Sequence, residues 1–76
     1  MTINLTIPRL EMSMTEAKLA EWLVEDGANV AEGDPIYVLE TEKAAQEIEA
    51  PIAGRLTRKV EAGQVYEVGT EIGEIA

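Results

Sequence analysis

The sequence predicts an all-β domain, a sandwich or barrel of short strands. Three observations predict it: strict alternation of apolar and polar residues at the start, glycine-centred turns spaced about eight to twelve residues apart, and a strand–turn pattern that recurs further along the chain. Ile3, Leu5 and Ile7 alternate with Thr2, Asn4 and Thr6, which is a period of two closed by Pro8. Residues 9–16 are polar with interspersed Leu10, Met12 and Met14, and read as a loop. Ala17–Val24 fits a helical stripe through Leu19, Trp22 and Leu23, and equally an alternating strand. The turns that follow decide for a strand. Asp26-Gly27 and Gly33-Asp34-Pro35 bound a short segment, and Ile36-Tyr37-Val38-Leu39 is a strand-like apolar run. Ala50-Pro51-Ile52-Ala53-Gly54 breaks the chain again before a strand over 55–60, a turn at Ala62-Gly63 and a last strand near 71–75.

A shift of 36 positions aligns Val24, Glu25, Gly27, Gly33 and Ile36 with Val60, Glu61, Gly63, Gly69 and Ile72. Each half then reads strand, Gly turn, short segment, Gly turn, strand. Halves that match turn for turn can pack face to face about a pseudo-twofold axis. Trp22, Leu23, Val24, Ile36 and Val38 read as core.

The 76 residues make one domain, 1–76, too short for a deep catalytic cleft. No Cys and no His are present, so thiolate or imidazole nucleophiles, bases and metal ligands are missing. A stand-alone enzyme is not expected. Fifteen acidic residues against six basic ones give a net charge of −9, which repels phosphate backbones and anionic lipid. Neither nucleic acid nor membrane is an expected partner. No apolar run is long enough to span a bilayer, and the N-terminus has neither a secretory nor a transit pattern, so an intracellular, soluble and monomeric domain is expected.

One segment breaks its local rules. Strand-like residues flank Thr41–Ala44, making a hairpin with Glu42-Lys43 at its centre. Tight two-residue hairpins prefer Asn-Gly or Asp-Gly, because the central residues take positive φ. Such a breach is most common where a functional site overrides turn propensity. A lysine at a hairpin tip presents its amine on a stiff platform. Taken alone, a lysine among acidic neighbours is more often an ordinary solvated side chain. A lysine amine in water is almost wholly ammonium at neutral pH, so any acyl group must reach it activated.

Leu39-Glu40-Thr41-Glu42-Lys43-Ala44 resembles the attachment motif of lipoyl domains from the acyltransferases of 2-oxo acid dehydrogenase complexes. The surroundings resemble that family too: Ile7-Pro8, Ser13-Met14-Thr15-Glu16, Glu21-Trp22-Leu23, Asp26-Gly27, Gly33-Asp34, Ala50-Pro51 and Val68-Gly69 stand in the family's order across nearly the whole chain. The resemblance implies a flattened barrel or sandwich of two four-stranded antiparallel sheets with quasi-twofold symmetry. It implies lipoate in amide linkage to Lys43, with Glu40, Thr41, Glu42 and Ala44 as flanking recognition residues. It also implies partners: a lipoate ligase or lipoyl transferase, and dehydrogenase, acyltransferase and dihydrolipoamide dehydrogenase components. The domain is then a carrier and not the catalyst, located in a bacterial cytoplasm or a mitochondrial matrix. The loop 9–15 matches one that influences partner choice in that family.

Departures are Glu42 where Asp is commoner, Ala17 where Gly is common, and Glu11 where a small residue is usual. The nearest rival is a biotin carboxyl carrier domain, which flanks its lysine with Met on both sides where this chain has Glu42 and Ala44. A glycine-cleavage H-type carrier is longer. An unmodified acidic module that binds a basic partner is the rival from another class.

Overall fold

The computed structural model describes residues 2–76. Its strands are β1 (Ile3–Thr6), β2 (Glu16–Trp22), β3 (Asn29–Val30), β4 (Pro35–Glu40), β5 (Ala45–Glu49), β6 (Gly54–Arg58), β7 (Gln64–Glu67) and β8 (Glu71–Ile75). Among the described residues there is no helix. The strands form two four-stranded sheets, in the orders β1-β8-β6-β3 and β5-β4-β2-β7. Every pairing is antiparallel. The all-β sandwich read from the turn spacing is the observed fold.

The internal repeat is structural. A shift of 36 carries β2 onto β6, β3 onto β7 and β4 onto β8, so one sheet's strand order maps onto the other's with β5 opposite β1. Hydrogen bonds repeat at the same shift. Leu23 N donates to Ile36 O and Lys59 N to Ile72 O, both at 2.9 Å; Asp34 N donates to Ala31 O and Thr70 N to Glu67 O, both at 3.0 Å. Gly33 and Gly69 take φ of 90° and 92°, a left-handed conformation that a side chain disfavours.

The core lies between the sheets. Leu5, Ile7, Leu19, Ile36, Leu39, Leu56, Ile72 and Ile75 are buried and form one cluster with Met14, Ala17, Val30, Tyr37 and Ala50. Trp22 closes one side of it, packing edge-on to Tyr37 with ring centroids 5.5 Å apart. Its indole Nε1 donates to Val60 O at 3.1 Å, and at the mirrored position Arg58 Nη1 donates to Val24 O at 3.3 Å. The Arg58 guanidinium sits 5.6 Å from the Trp22 ring, so the two copies of the repeat lock together by a cation–π contact.

Two residues expected in the core are placed differently. Leu23 is 37% exposed, and Val38 is half-buried on the outer face of its sheet. The cause is a β-bulge between Leu19 and Glu21, where β2 carries one residue more than β4. Ala17 and Leu19 face inward before the bulge; Trp22 and Val24 pack on the core after it, which turns Glu21 and Leu23 outward. A second bulge, at Ile36 between Pro35 and Tyr37, puts both Ile36 and Tyr37 inside and leaves Val38 out.

Burial pushes the Tyr37 phenol up to about 12. Its unfolded value is about 10, so the folded state keeps a neutral phenol that the unfolded chain would ionise. That stability is fully present below pH 10 and is lost as pH rises towards 12. Roughly 3 kcal/mol should vanish across this window. Lys59, raised by its hydrogen bond to Glu71, loses its contribution in the same alkaline direction. Urea midpoints at a series of alkaline pH values check this. Tyr37→Phe should flatten the curve, and an unchanged slope would contradict the assignment.

Candidate functional site

The β4–β5 hairpin forms one end of the second sheet. Glu40 pairs with Ala45 at its base, and Thr41 N donates to Ala44 O at 2.8 Å. Neither Glu42 nor Lys43 takes positive φ, so the turn does not use the primed geometry that selects Asn-Gly. The Thr41 hydroxyl does the work instead. It donates to Ala44 O at 3.2 Å and accepts from the N–H groups of Lys43 and Ala44, each at 3.4 Å. A side-chain oxygen that caps the turn's own backbone fixes the loop without glycine.

That cap leaves the next two side chains free. The Lys43 side chain is 78% exposed. Its Nζ lies 3.7 Å from Glu11 Oε2, in an exposed pair of the kind worth well under about 1 kcal/mol. Glu11 reaches there because the loop between β1 and β2 is anchored by buried Met14, whose N–H donates to Glu11 O at 3.1 Å. Met12, in the same loop, is 95% exposed. A groove of about 440 Å³ runs between this loop and the hairpin, with Met14, Ala17 and Val65 as its apolar lining.

The structure thus brings Glu40, Thr41, Glu42, Lys43 and Ala44 to one turn, with Glu40, Glu42 and Ala44 exposed around the amine. The groove also takes in Glu16, Lys18 and Val65, which sequence reasoning did not connect to the hairpin. Their signal lies in strand pairing, because Lys18 sits directly between Glu40 and Val65 on neighbouring strands. Among the described residues no cluster of His, Cys, Asp and Glu is arranged to hold a metal ion.

A stiff antiparallel sandwich that projects a primary amine from a side-chain-capped turn is the architecture of a carrier domain. Residues 3–75 match the biotin/lipoyl-attachment family, described as biotin-requiring enzyme. The chain is 41% identical to the dihydrolipoyllysine-residue acetyltransferase component of the acetoin cleaving system of Cupriavidus necator, over 97% of this chain and 20% of that protein. It is 45% identical to the acetyltransferase component of the pyruvate dehydrogenase complex of Rhizobium meliloti, over 79% of this chain and 13% of that protein. With the succinyltransferase component of the 2-oxoglutarate dehydrogenase complex of Bartonella vinsonii it shares 34% identity, over 99% of this chain and 18% of that one. The chain therefore belongs to the biotin/lipoyl-attachment family, and within it is a lipoyl domain, a carrier and not a catalytic unit. It spans a fifth or less of the length of these relatives.

Proposed function

We propose that Lys43 holds lipoate in amide linkage and that the domain ferries acyl groups and electrons among the dehydrogenase, acyltransferase and dihydrolipoamide dehydrogenase components of a 2-oxo acid dehydrogenase complex. The observation that carries this reading is the Lys43 amine, 78% exposed at the tip of a turn fixed by Thr41. The residues fit the group. An amide needs a primary amine that an activating enzyme can reach, and the ion pair of this amine with Glu11 is weak enough to give way. When bound, lipoate supplies a dithiolane that takes up an acyl group together with two electrons.

The chain's own contribution is positional. Thr41 and the β4–β5 pairing hold the Lys43 backbone still, so the tether starts from a fixed point. Tethering raises the local concentration of the carried group at each successive active site, which is the physical gain of a carrier. Glu40, Glu42 and Ala44 offer a modifying enzyme a small, acidic and accessible surface around the amine. Lipoate is favoured over biotin because Glu42 and Ala44 stand where a biotin carrier has methionines. The named activities of the relatives favour it too. The working compartment is that of such a complex, a bacterial cytoplasm or a mitochondrial matrix.

Intact-mass spectrometry after incubation with lipoate–protein ligase, lipoate and ATP tests the reading. The wild type should gain one lipoyl group and Lys43→Ala none, with both folded. A wild type that stays unmodified, or that takes biotin from a biotin ligase instead, overturns it.

A further inference from the structure

Three strands of each sheet correspond at a shift of 36, so the two outer faces can be compared position by position. The difference is large. On the second sheet Glu16, Glu21, Glu40, Glu47, Glu49 and Glu67 point outward against a lone Lys18. On the first sheet the outward positions are Asn4, Asn29 and Thr57, with Arg55 and Lys59 balancing Glu71 and Glu74. The outer face of the sheet that carries the Lys43 hairpin is therefore strongly acidic, while the other outer face is balanced.

Apolar exposure follows the same division. At the shift of 36, Leu23 stands where the first sheet has Lys59, Val38 where it has Glu74, and Val65 where it has Asn29. Val65 is 54% exposed and Leu23 37%. Among the described residues the other large exposed hydrophobics, Leu10 and Met12, lie on the loop beside Lys43. Val38 is flanked directly by Glu21 on β2 and Glu47 on β5, so an apolar centre has a carboxylate on either side. Folding alone does not favour this arrangement. Glu16 and Glu67 face each other across β2 and β7, and like charges directly opposite on neighbouring strands are destabilising.

We propose that the outer face of the β5-β4-β2-β7 sheet is the docking surface for the enzyme that attaches the acyl group to Lys43, and that this enzyme presents lysines and arginines around an apolar patch. The inference rests on Lys43 being the attachment point. β4 and β5, two of the four strands of the face, run straight into the hairpin, so the face is continuous with the segment that carries the amine. A rim of carboxylates steers a basic partner and sets its orientation, while the apolar centre supplies contact. A second copy of the chain is a poor occupant, since the face would meet six carboxylates of its own kind.

Steady-state lipoylation by lipoate–protein ligase tests this with two variants of equal net charge. Glu16→Gln/Glu21→Gln/Glu47→Gln strips three charges from the face. Asn4→Lys/Asn29→Lys/Thr57→Lys adds three positive charges to the equivalent outer face of the other sheet. All six positions are exposed, so both variants should melt close to the wild type, and Glu21→Gln/Glu47→Gln serves if the triple variant melts early. Expected is a KM raised on the order of tenfold in the first variant, with kcat kept, a weaker salt dependence, and little change in the second. Equal effects in both, which would mark a net-charge effect only, or no effect in either, overturn the docking surface. So does a dimeric wild type in sedimentation. A wild type that is not lipoylated at all instead removes the attachment reading beneath it.

Discussion

Exchanging the two residues at the hairpin tip, Glu42→Lys together with Lys43→Glu, is expected to leave the domain folded and to slow its lipoylation by about 100-fold or more. The exchange keeps composition and net charge unchanged. Both side chains are exposed, and both residues have negative φ, so neither is tied to a conformation the other cannot adopt. The Thr41 hydroxyl accepts from backbone N–H groups at 43 and 44, contacts that do not depend on which side chain follows. Stability should therefore stay within about 0.5 kcal/mol of the wild type. What changes is the direction of the amine, because successive side chains leave a tight turn at different angles. An enzyme that grips the folded face of the domain finds its target displaced, and reacting atoms misplaced by about 1 Å already cost on the order of 100-fold. A time course by intact mass, beside a thermal melt, decides it. Modification of the exchanged variant at the wild-type rate would show that the motif is read as a flexible peptide and that the rigid platform is irrelevant.

This dependence on geometry also explains what the sequence disclosed and what it withheld. The alternation of Ile3, Leu5 and Ile7, the paired glycines and the shift of 36 all carry local physics, and each survives in the fold. Leu23 did not follow its pattern, because the bulge after Leu19 reverses which side of β2 faces inward. A bulge is a property of two paired strands and leaves no mark in either one alone. Glu42 and Lys43 break turn propensity at the hairpin tip because they do not build the turn. The residue that builds the turn is Thr41, one position earlier, through its hydroxyl. Glu11 stood out in the sequence as an unusual loop residue, yet its place 3.7 Å from Lys43 depends on where Met14 anchors the loop. Lys18, Val65 and the acidic face needed the strand register, which no spacing along the chain encodes.

Gly73 was silent in the sequence as well, and the largest stability loss is expected there. It lies inside β8, paired with Leu5 on one side and Arg58 on the other, and its φ is not positive. Conformational freedom is therefore not the reason for glycine. Space is. A Cβ at this position would stand 2.5 Å from the backbone oxygen of Thr57 and 3.5 Å from Cη2 of the Trp22 ring. The equivalent position in the other half is Tyr37, so the repeat sets a large ring against a gap, and Trp22 approaches that gap. The indole contact is an ordinary one, but a backbone carbonyl in a paired strand cannot swing aside as a side chain can, so Gly73→Ala must part β6 from β8. A cost of about 3 kcal/mol follows, which in a domain of this size is a fall of roughly 12–24 °C in Tm. Gly69→Ala is the control. Its φ is 92° but nothing lies within 4 Å of the added carbon, so only the left-handed conformation is penalised, at about 1–2 kcal/mol. Calorimetry on the two variants should rank Gly73→Ala as clearly the less stable. The opposite order would mean that the close approach of β8 to the Thr57 carbonyl is not what demands glycine at 73.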